Sequence, residues 1–413
     1  MTIEYKENIL YFDNINIFDL ASSHVTPFYL YSESIIRNNF ISYKHSFGNH
    51  DHIICYSVKA NSNLSILATL SKLGSGFDIV SGGELLRVIK AGGDPAKTVF
   101  SGVGKTEDEI KLALNNNIMC FNIESEDELN TINLIATGMG EKANISIRVN
   151  PAIDVNTHPY IATGMQDNKF GIEQSQVISL YKKASQMSGI SIIGIDFHIG
   201  SQIVELEPYL ESLSKIIKIV DELNSIGIML SHIDIGGGLG IAYENEKVVP
   251  KDHFISEIIK IIGNRDICLL IEPGRSIVGD SGILVSEVIN IKKSSSKCFV
   301  IVDAGMNDLL RPPLYDAYHS IKEVSKKNIN PEIYDVVGPI CETADFIGKN
   351  RNLAINKGDY LIVENVGAYG FVLASNYNTR PKIDEYIILK NDIKKIRDRD
   401  SIDQILENEL KFL

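Results

Sequence analysis

Cys55-Tyr56-Ser57-Val58-Lys59-Ala60-Asn61-Ser62-Asn63 is the stretch on which the reading of the chain turns. Ile53–Val58 reads as a short buried strand, and Asn61–Asn63 as a turn opening a helix. Lys59 is therefore set at the mouth of a strand, where a lysine gains nothing from burial. A lysine so placed can be desolvated, lose its proton more easily and attack a carbonyl carbon to form a Schiff base. The plainer reading is an ordinary lysine, its stem packed and its ammonium in water. The rest of the chain decides between the two.

Outward from this strand, apolar runs suited to buried parallel strands recur at Phe77–Val80, Thr98–Phe100, Ile118–Phe121 and Ile145–Val149. They continue at Ile192–Phe197, Ile228–Ile235 and Ile267–Ile271. Between them lie amphipathic stretches with helical spacing, among them Ser62–Leu73, Gly82–Ala91, Thr106–Asn115 and Ser125–Ile135. Gln174–Met187, Pro208–Leu223 and Asp252–Ile262 complete the set. This alternation covers roughly 245 residues, close to the ~250 of a (β/α)8 TIM-type barrel. An open doubly wound sheet is the competing architecture, but strands in unbroken succession favour the barrel.

After about residue 280 the pattern changes to short strands with Gly, Pro and Asn turns, as at Cys298–Val302, Ile333–Val337, Tyr360–Val363 and Glu385–Ile388. The fold class is therefore α/β, a (β/α)8 barrel over 31–279 plus a mainly β C-terminal domain, a sandwich or barrel, over 280–413. Residues 1–30 read as short strands and turns that join the β domain.

Composition bounds the function. A content of 44% hydrophobic and 23% charged residues fits a globular protein with a substantial core. A formal net charge of −13 without any basic block argues against nucleic acid and anionic membrane as partners. The five cysteines (55, 120, 268, 298 and 341) are far apart and odd in number, so a reducing, cytoplasmic setting is expected. Met1–Glu7 carries no apolar signal core, and no apolar run is long enough for a bilayer.

In a barrel, active sites lie where the strands end. The residues found there are Lys59, Ser101, Asn122, Arg148 with Asn150, His198, Asp234 and Glu272 with Arg275. Asp234-Ile235-Gly236-Gly237-Gly238-Leu239-Gly240 follows the seventh strand, and consecutive glycines let backbone N–H groups converge on an anion. A tight turn is the plainer reading of such a run; its place after strand seven favours a phosphate site. Glu272-Pro273-Gly274-Arg275 follows the eighth strand. Its carboxylate could hold a ring nitrogen protonated and its arginine grip a carboxylate, against the plainer reading of a loop-closing ion pair. His198 is a structural histidine or a ring stacked on an aromatic cofactor. A Schiff-base lysine, a phosphate cradle, a stacking ring and a ring-nitrogen partner are together what pyridoxal 5'-phosphate requires. No metal site is expected: His50-Asp51-His52 comes nearest, and reads as a polar turn before the first strand.

Tyr56-Ser57-Val58-Lys59-Ala60-Asn61, Gly76-Phe77-Asp78-Ile79-Val80-Ser81-Gly82-Gly83-Glu84 and His198-Ile199-Gly200-Ser201-Gln202 carry a resemblance, together with the two loops above. So do Arg311-Pro312-Pro313-Leu314-Tyr315, Cys341-Glu342-Thr343-Ala344-Asp345 and Gly367-Ala368-Tyr369-Gly370. Over nearly its whole length the chain resembles the diaminopimelate decarboxylase family of barrel-type, alanine racemase-like pyridoxal-phosphate decarboxylases. Pro313 and Asn365 depart from that family's pattern beside site positions.

The resemblance implies decarboxylation of meso-2,6-diaminopimelate to L-lysine and CO2. It implies that Lys59 carries the cofactor, His198 stacks on its ring, and Glu272 pairs with the ring nitrogen and so stabilises a quinonoid. Ser201, Gly237, Gly238, Gly274, Arg275 and Tyr369 would bind the cofactor. Arg275, Arg311, Tyr315, Glu342 and Tyr369 would contact the substrate. Cys341 would return the proton, acting with Glu342 in the active site of the partner subunit of a homodimer. A substrate with both an ammonium and a carboxylate at its far end calls for Glu342 and arginines together.

Three other readings compete. One is a decarboxylase of carboxynorspermidine, ornithine or arginine on the same fold. The others are an inactive regulatory homologue, which should have lost Lys59 or Cys341, and a single-barrel cofactor carrier, which the β domain disfavours. The stretch Asn156–Gly171 reads as a mobile lid.

Overall fold

The computed structural model describes residues 3–153, 169–390 and 392–413. The lid expected at Asn156–Gly171 falls almost wholly outside the described residues. Two compact units emerge, one of residues 37–241 and 247–277, the other of residues 1–36, 242–246 and 278–413.

The first unit is a closed barrel of eight parallel strands. They are β1 (His52–Ser57), β2 (Gly76–Ile79), β3 (Thr98–Phe100), β4 (Cys120–Ile123), β5 (Ala143–Asn150), β6 (Ile190–Asp196), β7 (His232–Asp234) and β8 (Cys268–Ile271). Each pairs with the next, β8 pairs with β1, and no edge strand is left in the ring. Helices α1 (Leu64–Lys72), α2 (Gly82–Lys90), α3 (Glu107–Asn115) and α4 (Glu126–Met139) fill the first connections. α5 (Gln174–Ala184), α6 (Glu207–Ser225) and α7 (Lys251–Ile262) fill the later ones.

Local sequence explains why these helices begin where they do. Asn63, Ser81, Thr106 and Ser125 each accept a backbone N–H of the first turn, satisfying donors that a helix cannot satisfy itself. The seventh strand is shorter than its apolar run: only His232–Asp234 joins the ladder, and Ile228–Leu230 precede it as loop. The fourth strand begins two residues later than its apolar run and extends to Ile123. Register sets one ring of side chains at a common height: Ser57 lies opposite Asp78, Arg148 opposite Asp196, and Asp196 opposite Asp234. In a parallel strand alternate residues face inward, so these polar groups project into the barrel mouth.

The second unit is mainly β. Its nine-stranded sheet is built on the long strand Gly282–Lys293, which pairs with Cys298–Val302, Tyr360–Val363 and Phe28–Ser32. The N-terminal residues thus join it as expected, but not as strands alone, because Ile17–Ser23 is a helix capped by Asn16. Leu10, Phe12, Phe28, Leu30, Ile283 and Val285 share one buried core there. No described helix is long and apolar enough to cross a membrane.

Candidate active site

β1 ends at Ser57, and a single 3-10 turn, Val58–Ala60, carries Lys59 onto the rim. Its Nζ lies 3.0 Å from Asp78 Oδ2, with the lysine side chain 39% exposed and the aspartate fully buried. Ser57 Oγ donates to the same carboxylate oxygen at 2.6 Å. Asp78 is thus a partner for the lysine that the sequence reading quoted in a motif without giving it a role.

The glycine run forms the next part of the rim. Gly236 N–H donates to Asp234 Oδ1 at 2.8 Å, and Gly237 N–H to His198 Nδ1 at 3.2 Å. The Tyr209 hydroxyl, from α6, holds the Gly237 carbonyl at 2.9 Å. A Cβ at Gly237 would stand 2.0 Å from the Glu272 carbonyl oxygen, and one at Gly238, where φ is +104°, 2.1 Å from that of Gly200. Only glycine lets the turn pass between these two neighbouring loops.

His198 accepts at Nδ1, so its ring proton sits on Nε2. Burial, with Arg148 and Lys59 nearby, holds its pKa well below the usual imidazole range. The ring is neutral, which suits a flat stacking surface better than a proton donor.

Glu272 follows β8 and is buried. Ser101 Oγ and Asn122 Nδ2 each lie 3.4 Å from its Oε1. Burial, and then the carboxylates of Asp234, Asp78 and Asp196, push its pKa well up. Two residues on, Gly274 packs so closely that a Cβ would be 2.8 Å from that of Ala60. Arg275 is buried and donates through Nη2 to Ser201 Oγ at 3.1 Å. Arg148 lies inside β5, with Nη1 2.7 Å from Glu124 Oε1 and Nε 3.8 Å from Asp196 Oδ2.

The barrel rim therefore brings together Lys59, His198, Ser201, Gly237, Gly238, Glu272, Gly274 and Arg275. It also carries Asp78, Glu124, Asp196 and Tyr209, to which the sequence reading gave no role. The available signal for two of them was an acid lodged in an otherwise apolar strand, as in Gly76-Phe77-Asp78-Ile79 and Ile195-Asp196-Phe197. His50-Asp51-His52 is not wholly a turn before the first strand: His52 opens β1 itself, stacks on Phe47 at 4.1 Å, and its Nδ1 bonds the His50 carbonyl at 2.8 Å.

The remaining predicted residues belong to the β unit. Arg311 is buried, with Nη1 donating at 2.9 Å both to the Tyr243 hydroxyl and to His319 Nε2. His319 Nδ1 donates in turn to the Glu364 carbonyl at 2.8 Å. Tyr315 ends the same short helix, Arg311–Tyr315. Cys341 is exposed, its N–H held by Asn378 Oδ1 at 2.9 Å. The neighbouring Glu342 carboxylate accepts from Thr343 N–H at 3.0 Å and from the Tyr377 hydroxyl at 3.4 Å. Asp345 anchors this loop by accepting from Met306 N–H at 2.6 Å and Ile340 N–H at 2.7 Å. Tyr369 has φ +56°, a strained conformation for an aromatic residue.

The chain is similar to known proteins in sequence and in fold. The family model described as pyridoxal-dependent decarboxylase, pyridoxal binding domain, matches residues 33–279. A diaminopimelate decarboxylase of Neisseria meningitidis serogroup A is 49% identical over 394 residues, which cover 95% of this chain and 97% of that one. The crystal structure of diaminopimelate decarboxylase from Helicobacter pylori complexed with L-lysine has a TM-score of 0.93 and 45% identity, covering 96% of this chain and all of that one. That of the M. jannaschii enzyme with L-lysine has a TM-score of 0.94 and 35% identity, covering 99% and 97%. The chain belongs to the pyridoxal-dependent decarboxylases, in the diaminopimelate decarboxylase family.

Proposed function

We propose that the protein decarboxylates meso-2,6-diaminopimelate to L-lysine and CO2 with pyridoxal 5'-phosphate as cofactor. The observation that carries this is the single rim on which Lys59, the bare glycine turn, the neutral His198 ring and the buried Glu272 carboxyl lie together. These parts fit the cofactor's chemistry: an amine for its aldehyde, backbone and guanidinium for its phosphate, and a carboxyl for its ring nitrogen. Bound there, the cofactor supplies a carbon that substrate amines attack and a ring that takes up the electron pair left when CO2 departs.

The chain's own residues do the rest. Asp78 orients the Lys59 amine. Arg275, fixed by Ser201, and the backbone at Gly237, Gly238 and Gly274 receive the phosphate, and we assign Tyr369 to the cofactor as well. Glu272 accepts the ring N–H, which keeps that nitrogen charged. His198, with its proton on Nε2, offers a flat uncharged face. For the substrate we assign Arg275, Arg311, Tyr315, Tyr369 and Glu342. The arginines answer the carboxylates, and Glu342 answers the distal ammonium. Cys341 holds the proton that returns to the carbon losing CO2, and we assign it and Glu342 to the site of a second copy in a homodimer. Five unpaired cysteines support a cytoplasmic setting.

The test is product analysis of pyridoxal-phosphate-loaded protein offered meso-diaminopimelate, carboxynorspermidine, ornithine and arginine in parallel. Lysine and CO2 from diaminopimelate alone are expected. Turnover of ornithine or carboxynorspermidine instead would overturn the roles given to Arg275, Arg311 and Glu342.

A further inference from the structure

Asp196 ends β6, Asp234 ends β7 and Glu272 follows β8, so three neighbouring strands deliver three carboxyl groups to one point of the barrel mouth. An oxygen of each lies within 4.8 Å of the others, and all three residues are buried. Among the described residues, Asp196 Oδ1 and Asp234 Oδ2 meet no N–H or O–H donor, although both residues are at most 1% exposed. What faces Asp234 at hydrogen-bonding range is the carboxyl of Glu272. Two carboxyl oxygens bond each other only with a proton between them.

The surrounding charges do not relieve the crowding. Arg148 approaches Asp196 at 3.8 Å but is engaged by Glu124 at 2.7 Å. Lys59 is engaged by Asp78, a further buried acid of the same mouth. Asp196, Asp234, Glu272, Asp78 and Glu124, with Glu84 facing Asp78 and Lys59 as well, thus outnumber the two cations Arg148 and Lys59. Lys105, which reaches the Asn122 carbonyl at 2.8 Å, is paired with Glu128 at 2.5 Å, while burial holds His198 and His232 neutral and keeps the thiols of Cys55 and Cys120 protonated. A metal ion is a poorer answer than a proton. A hard divalent cation seeks six or more oxygens, and here a guanidinium stands beside one of the three ligands.

We infer that Asp196, Asp234 and Glu272 form a proton-sharing triad in which Asp234 is a positioning residue, hydrogen-bonded to Glu272 and setting the charge of the carboxyl that meets the cofactor ring nitrogen. The second half of this rests on the role proposed for Glu272; the first does not. Asp234 accepts from Glu272, the neutral acid of the pair, whose second oxygen is left to meet the ring N–H. Gly236 N–H, 2.8 Å from Asp234 Oδ1, fixes the orientation in which it does so.

Infrared spectroscopy of the full-length holoenzyme and of the cofactor-stripped protein tests the triad. Both should show, at neutral pH, a protonated carboxyl stretch that shifts in heavy water. Asp234→Asn, nearly identical in shape, should lose it, and Asp196→Asn should lose or shift it. Absence of the band in wild type, its survival unshifted in both variants, or a stoichiometric metal in the purified protein would each overturn the triad. The link to the cofactor is read separately, from the visible absorbance of the holoenzyme against pH. The midpoint should move in Asp234→Asn and move further in Glu272→Gln. A profile unmoved by Glu272→Gln would instead defeat the ring-nitrogen role of Glu272, and a profile moved by Glu272→Gln but not by Asp234→Asn would defeat the positioning role.

Discussion

His232 lies two residues before Asp234 in the same strand and is fully buried, its ring filling the space left open by Gly194 on the neighbouring strand. A Cβ at Gly194 would be 2.0 Å from His232 Nε2. Burial pushes the imidazole down to about 4. The unfolded chain protonates this histidine near ~6.5 while the native state does so only near 4, so between those values the unfolded state binds more protons. Its contribution to stability is therefore full above pH ~6.5 and falls as pH drops toward 4. His232→Leu keeps most of the volume and should cost less than ~1.5 kcal/mol at neutral pH. The same variant should flatten the acid side of the stability profile, measured by denaturant melts from pH 7 to 4. An unchanged acid slope would show that other groups set it.

Elements in this barrel are tied to one another by side chains at their ends, and Glu109 is the clearest case. At the start of α3 its Oε2 accepts from Thr106 N–H at 3.0 Å, completing a capping box, while Oε1 accepts from Gly82 N–H at 2.8 Å at the start of α2. Burial alone would raise its pKa, but the hydrogen bonds from Gly82 and Thr106 lower it overall. Stability from this carboxylate is present above the unfolded value of ~4.3 and is lost as pH falls through the lower folded one. Glu109→Ala should cost about 1 kcal/mol at neutral pH, the group being partly exposed, and little in strong acid. A loss equal at both pH values would point to packing instead. Caps of this kind are local, which is why the starts of α1 to α4 could be read from residues in sequence, whereas among the described residues α5 to α7 have no side-chain cap and were legible from apolar spacing alone. Ile36, Phe40 and Tyr43 also repeat at helical spacing and are buried on the helix Glu33–Ser46, with buried Phe47 just after it, yet the Asn and Ser residues between them hid the stripe. Rim residues such as Lys59 and Glu272 were legible because each follows an apolar run. The facing of Asp196 and Asp234 was not, because it depends on the register between strands that lie 36 residues apart or more in the chain.

At the scale of the whole molecule the open matter is how many chains make one active site. Cys341 and Glu342 are exposed on the β unit, and a proton donor left in water gains nothing from its position. If they serve a second copy related by a two-fold axis, each site draws its lysine from one chain and its thiol from the other. Lys59→Ala and Cys341→Ala chains should then both be nearly inactive alone. Mixed under conditions that exchange subunits, half of the dimers become hybrids, and each hybrid contains one site with both residues intact. About one quarter of all sites, and of wild-type activity, should return. If Cys341 instead serves its own chain, every site in a hybrid lacks one of the two residues and mixing restores nothing. Exchange itself can be followed by mass, so a silent mixture with confirmed hybrids would place the thiol in its own subunit's site.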